Sequence, residues 1–459
     1  MDKTDIRYQA YVDILKEELV PAMGCTEPIA LAYCCARARE ILGTIPEKCV
    51  VEASGNIIKN VKSVVVPNTD GLKGIEAAAA AGIIGGQASK VLEVIADVTP
   101  EQKAEMKQYL EEGHITVRPL DSKEVLDMLV TMTAGEDESK VRISGSHTNI
   151  VLEERNGETL CGGAESGTED GTAAGAENRA ETDLKAEAES GAGKANAAGP
   201  CTGKGQAADR SLLSVEAICD FAETVDIEDV RGVIGRQIAY NSAIANEGIK
   251  ENYGANIGKV ILKTYGNDIK IRAKAMAAAG SDARMSGCEL PVIINSGSGN
   301  QGMTASLPVI EYAEELGSGE EKLYRALVLS NLITIHQKTG LGRLSAYCGA
   351  VSAGCGAGCG IAWLKGADFK AIAHTLVNSL AIVSGIICDG AKPSCAAKIA
   401  SAVDAGILGY NMYLNGQQFY GGDGIVSKGV ENTINNIGRL GRDGMKETDK
   451  EIIRIMTNC

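Results

Sequence analysis

Apolar residues recur at helical spacing over residues 5–20, and again from Glu27 to about Leu42, so the chain opens with two helices. Short runs rich in β-branched residues follow: VVEAS, VKSVVVP, HITVRPL and VRISG read as strands. The stretch GIEAAAAAGIIGG reads instead as a closely packed helix, because Ala leads the helix propensity scale. Beyond Ser211 most segments have helical length and period, with one β-like interlude at KVILKTYGNDIKI. The expected fold is therefore α+β. A mixed α/β domain occupies 1–155, and a mostly α-helical, small-residue-rich domain occupies 211–459, with 211–275 free to pack against the first. Residues 156–210 stand between them. They are rich in Ala and Gly, Leu160 and Leu184 are their only large apolar residues, and such a segment buries too little surface to offset its ordering entropy. It reads as a disordered insertion, and no internal repeat is present.

With 459 residues the chain has room for two or three domains. Its interior must come from Ala, Gly, Ile, Val and Leu, since 55 residues are Gly and only 4% are aromatic. That scarcity excludes the aromatic platforms on which single-stranded nucleic acid stacks. A net charge of -15 repels nucleic acid and anionic membranes alike, so a small molecule is the expected partner. The opening MDKTDIRYQAY carries acids and no apolar segment behind them, which points to a cytoplasmic protein. The longest apolar stretch, from Thr375 to Cys388, is broken by Asn378 and two serines and is not expected to span a bilayer. Fourteen cysteines in such a chain are expected to be unpaired. Each is then a small buried residue, a metal ligand or a reactive thiol.

Three constellations carry chemistry. In GCTEP, Thr26 reads as a helix N-cap with Glu27 and Pro28 in the first turn, which sets Cys25 beside unsatisfied amides that favour a thiolate. A small residue in a loop is the plainer reading of Cys25, and Cys34 and Cys35 read as core. In INSGSGNQG, residues Ser296, Gly297, Ser298, Gly299, Asn300 and Gln301 precede a helical segment. Converging amides there suit an anionic group such as a carboxylate, although a plain turn also explains the glycines. Upstream, Arg284 could clamp a carboxylate or simply pair with Asp282. The third constellation is Cys348, Cys355 and Cys359, then Cys388 and Cys395 flanking the turn-forming DGAKPS. Small-residue packing accounts for Cys355 and Cys359 with less. Two thiols bracketing a loop plus one from another helix can converge on a metal, and the absence of paired C-x2-C spacing argues against a structural zinc. His336 near Lys338, together with Asn246 and Glu247, are lesser candidates with ordinary surface or capping explanations.

These residues resemble the L-cysteine desulfidase family, related to the catalytic chain of iron–sulfur L-serine dehydratases. The motifs that carry the likeness are GCTEP at 24–28, SGNIIKN at 54–60, SHTNI at 146–150, NSAIANEG at 241–248, SDARMSG at 281–287, SGSGNQG at 296–302, and Cys348, Cys388 and Cys395. They run in order through essentially everything outside 156–210. The resemblance implies a [4Fe-4S] cluster held by Cys348, Cys388 and Cys395, with one iron open to act as a Lewis acid, and it makes 211–459 the catalytic domain. It implies Cys25 as a substrate-site thiol and β-elimination on L-cysteine giving pyruvate, ammonia and sulfide without pyridoxal phosphate; the residue chemistry above adds Glu27, Arg284 and 296–301 as expected substrate contacts and Cys25 as the candidate catalytic base. Cys288 and the terminal Cys459 stand as further ligand candidates, and Cys161 and Cys201 as incidental thiols. Dehydration of L-serine by the same chemistry, or a non-enzymatic cluster sensor, stays open. So does the oligomeric state, self-association included.

Overall fold

A computed structural model of the chain describes residues 1–162, 208–342 and 344–457. Eight strands occur among them: β1 Pro21–Met23, β2 Lys48–Ala53, β3 Ile115–Pro119, β4 Asp127–Ala134, β5 Asp137–Ser144, β6 Ile150–Arg155, β7 Glu158–Gly162 and β8 Pro291–Ile293. Six form one sheet in the order β3-β2-β4-β5-β6-β7, parallel only between β2 and β3. The helix Thr26–Leu42 covers one face, where Cys34 is buried with its thiol 3.4 Å from Val141 O. The helix Gly74–Gly85 then lies directly on that helix. A Cβ added at Gly82 would fall 2.2 Å from Ala32 O, so glycine is what allows the backbones to approach this closely.

The second half is helical. Its central helix, Gly349–Leu364, is buried among Gly299–Glu315, Glu320–Leu341, Phe369–Val383 and Cys395–Leu414. It crosses Cys395–Leu414 backbone against backbone: a Cβ on Gly406 would meet Gly354 O at 2.3 Å, and one on Gly358 would meet Gly406 O at 2.6 Å. This seam uses Gly354 and Gly358 of SAGCGAGCG, while Gly356 and Gly360 pack on Glu320–Leu341 on another side. Enclosed by helices on all sides, Cys355 and Cys359 are fully buried.

The α+β expectation holds, and four local expectations are corrected. VKSVVVP is not a strand: it leaves the helix Gly55–Val61 in a turn that makes a single bridge, Val65 to Lys73. KVILKTYGNDIKI is helical, in Ile257–Tyr265 and the start of Ile269–Met285. Gly266, at φ 88°, ends the first helix and Asp268 caps the second, while Ile261 packs on Ala275 and Ala278. The supposed insertion is ordered at both ends, because β7 extends the sheet through Gly162 and Arg210–Leu212 forms a helical turn. The rest of that stretch lies outside the described residues. Finally, the cysteines are not all unpaired: eleven described ones are free, but Cys161 in β7 is disulfide-bonded. None of the described helices is long and apolar enough to cross a membrane.

Candidate active site

A two-stranded pairing between distant parts of the chain builds the site. β1 runs antiparallel to β8, aligning Pro21 with Ile293 and Met23 with Pro291, and Ile294 N donates to Val20 O at 3.0 Å. One strand leads into Gly24 and Cys25, and the other into the 295–298 turn. Buried Asn241 clamps β8, accepting from Ile293 N at 2.9 Å and donating to Ile293 O at 3.3 Å. In the turn, Ser296 and Gly297 both adopt positive φ, 50° and 79°, while Asn295 and Ser298 exchange backbone hydrogen bonds of 3.1 and 3.0 Å. A serine in this conformation needs support. Its hydroxyl donates to Asn295 Oδ1 at 2.8 Å, and Asn295 is held in turn by the buried Asn331 and Gln237.

The three thiols arrive by different routes. Cys348 precedes the central helix, and Tyr347 bridges to Ile387, so that Cys348 N donates to Ile386 O at 3.1 Å and Cys388 N donates to Ala346 O. Cys395 is the first residue of its own helix. The loop between Cys388 and Cys395 is braced by Asp389, which pairs with Lys392 and Lys398. All three thiols line one cavity of about 100 Å³. Cys25, Glu27, Arg284, Ser296, Gly297, Ser298, Asn300 and Gln301 line it as well, with Asn60 and Lys338. Burial and the neighbouring Cys388 and Cys395 sulfurs push the Cys348 thiol up to about 12, and burial raises Cys395 too, which places the three within each other's field.

Four helices begin at this cavity: Thr26–Leu42, Gly299–Glu315, Gly349–Leu364 and Cys395–Leu414. Among the described residues none of the four has a side chain capping its first amides. Their unsatisfied N–H groups make the cavity electropositive. Arg284 adds a buried guanidinium that, among the described residues, no carboxylate pairs with. Its Nε donates to Gly24 O at 2.8 Å, Nη1 to Asn300 Oδ1 at 3.1 Å and Nη2 to Thr26 Oγ1 at 3.3 Å, tying the GCTEP loop to the SGSGNQG loop. Opposite lies Glu27. Cys25 Sγ donates to its Oε2 at 3.2 Å, and His147 Nε2 stands 3.9 Å from its Oε1. Burial works to raise the Glu27 carboxyl, but the His147 ring and the Cys25 thiol outweigh it and leave it below its ordinary value.

Several expectations change. Cys25, not Thr26, is the N-cap: its backbone is extended at φ -77°, ψ 136°, Thr26 is already the first helical residue, and the Thr26 hydroxyl accepts from Arg284. The Cys25 thiol is raised, not lowered: burial and the adjacent Glu27 outweigh Arg284. Gly299 does not face the cavity but packs on Arg284, where a Cβ would sit 2.4 Å from Nε. Asp282 makes no pair with Arg284 and instead accepts from Gly258 N at 3.0 Å. His336 lies away from the cavity, bonded to Glu431 at 2.7 Å, and Glu247 accepts from Tyr253. Asn246 and Cys288 do not line it either. Cys459 and Cys201 lie outside the described residues. Sequence reading gave no site role to Asn60, Tyr347, Asn241 or Asn331. Asn241 and Asn60 do sit inside motifs already noticed, and that was their only signal.

The residues present suit an iron–sulfur cluster. Thiolates and a cluster together are anionic, and uncapped helix starts with buried cations stabilise that charge. Among the described residues no three His, Cys, Asp or Glu side chains close on a single metal ion, whereas a cluster takes thiols set further apart. Comparison with known proteins agrees. The family model described as serine dehydratase alpha chain matches residues 89–454. A UPF0597 protein of Desulfitobacterium hafniense is 63% identical over 458 residues, covering 100% of this chain and 99% of its own. Others from Lachnoclostridium phytofermentans, at 51% over 98% of this chain and 100% of theirs, and Treponema denticola, at 45% over 99% of each, are similar end to end. The chain therefore belongs to the serine dehydratase alpha chain family, the iron–sulfur lyases that act on small amino acids.

Proposed function

We propose that the protein is a cytoplasmic L-cysteine desulfidase that converts L-cysteine to pyruvate, ammonia and sulfide. One observation carries the reading: the three thiols, Ser296, Gly297, Ser298, Asn300, Gln301, Arg284 and the Cys25–Glu27 pair line a single cavity. Cys348, Cys388 and Cys395 would hold a [4Fe-4S] cluster, which when bound supplies an iron Lewis acid for the departing sulfur. The amides of the helix starting at Gly299 receive the substrate carboxylate, and Arg284 keeps that anion favourable from beneath. Glu27, the ionised member of its pair, takes the Cα proton directly or through the Cys25 thiol that it already accepts from at 3.2 Å. Loss of that proton and breakage of the Cβ–S bond leave aminoacrylate, which water converts to pyruvate and ammonia. A cluster used only as a sensor has no need of a carboxylate site.

A second reading, dehydration of L-serine by the same residues, is favoured by the family description itself. Anaerobic reconstitution with iron and sulfide separates the two. The expected result is sulfide and pyruvate in equal amounts from L-cysteine, at a higher kcat/KM than pyruvate from L-serine. Pyruvate from serine with negligible sulfide from cysteine would reassign the substrate.

A further inference from the structure

A second, larger cavity of about 820 Å³ lies behind the 296–297 turn. Gly297 lines both cavities. At the same partition Glu27 faces the thiol cavity and His147 faces the larger one, with 3.9 Å between carboxylate and ring. His147 is 5% exposed, and among the described residues its Nε2 makes no hydrogen bond, standing 3.9 Å from the Glu27 carboxylate. A buried ring nitrogen left unpaired is costly unless something visits it.

We propose that the larger cavity is a binding vestibule for a zwitterionic amino acid, and that His147 and Glu27 form the threshold it crosses to reach the thiols. The proposal rests on the function proposed above for the thiol cavity. The vestibule walls carry both signs of charge: Lys16, Lys90 and Arg210 against Asp13, Glu17, Glu18 and Glu93, with Arg210 paired to Glu17 and Glu18 and Lys90 to Asp97. That mixture suits an ammonium and a carboxylate on one small molecule, and repels a polyanion. At about 820 Å³ it exceeds what one amino acid needs, whereas the thiol cavity, at about 100 Å³, closes around the reacting end. At the threshold the positive-φ Ser296 and Gly297 turn their backbone between the two spaces. A passing ammonium meets Glu27, and a passing carboxylate meets His147. A further mark of function is Val91 on the vestibule wall, a β-branched residue at φ 52°, ψ -110°. The competing approach to the thiols is the side formed by Leu344, Ser345 and Ala391.

Labelling of Cys25 decides between the two approaches. The full-length protein, as purified, is treated with iodoacetamide, an uncharged reagent smaller than an amino acid, and Cys25 modification is followed by peptide mass spectrometry. Ser146→Trp and Lys16→Trp fill the vestibule from separate walls. Each is expected to slow Cys25 labelling about ten-fold with an unchanged circular dichroism spectrum, while Leu344→Trp leaves the rate within about two-fold. Unchanged labelling in both vestibule variants, with slowing in Leu344→Trp, overturns the proposal. Labelling needs no turnover, so an inactive wild-type enzyme would count against the proposed function while the labelling rates still identify the route to Cys25. In active enzyme the two vestibule variants are expected to lower kcat/KM about ten-fold at unchanged kcat.

Discussion

The helices Gly349–Leu364 and Cys395–Leu414 each serve two regions with opposite demands. At their starts, Cys348 and Cys395 face a polar cavity among uncapped amides. A few residues further on, the same helices cross at Gly354, Gly358 and Gly406 with no room for a methyl group. Cys348 and Cys355 are seven residues apart, yet the first stands outside its helix and the second is fully buried in the core. The glycine contact sets how close the two helix starts lie, so the packed region fixes the geometry of the reactive one. A cysteine therefore takes its chemistry from its place relative to a helix end, not from the density of cysteines around it.

Five substitutions test this contrast. Replacing Cys348, Cys388 or Cys395 by Ser is expected to remove iron and acid-labile sulfide and to lower turnover by at least about 1,000-fold, since a Lewis acid is worth several kcal/mol. Metal analysis of anaerobically purified protein checks it, and retained turnover without iron would refute the mechanism. Gly406→Ala drives a methyl toward Gly354 O and is expected to destabilise by about 1–3 kcal/mol, measured by denaturant titration. It should also reduce iron occupancy, because the seam positions both helix starts. Cys355→Ala leaves a small hole in the helical core, costs about 1 kcal/mol and leaves the iron content unchanged. A loss of iron there would erase the distinction between the two regions.

The smallest effect concerns pH. Burial raises the Asp282 carboxyl to about 6, above its ordinary 3.8. The native state then holds that proton more tightly than the unfolded chain, so ionisation destabilises the fold as pH rises from about 4 to beyond 6. Asp282→Asn can still accept from Gly258 N. It is expected to raise the melting temperature slightly at pH 7 and to make no difference at pH 4.

Much of this was open to inspection in the sequence. Helical period marked Thr26–Leu42, Ala content marked Gly74–Gly85, and β-branched runs marked β2, β3 and β5, because these are local preferences of the backbone. β4, β6 and β7 were not recognised, and the segment 259–271 was read with the wrong period. There the deciding contact, Ile261 on Ala275 and Ala278, joins neighbouring helices and leaves no mark in a short window. Of the residues singled out from the motifs, Cys25, Glu27, Arg284, Ser296, Gly297, Ser298, Asn300, Gln301 and the three thiols line one cavity and Gly299 does not, while Asn60 and Tyr347 line it without having been singled out.

Sequence alone pointed to the residue types that line the cavity: thiols beside a turn, a glycine-rich helix start, and one arginine between them. Tertiary structure decided what each of them does. It moved the N-cap to Cys25, turned Arg284 from a free clamp into a tie between two loops, and raised the Cys25 thiol by burial beside Glu27. The reason is physical: a side chain's charge state and free hydrogen bonds depend on groups folded against it from hundreds of residues away, such as Arg284 against Gly24.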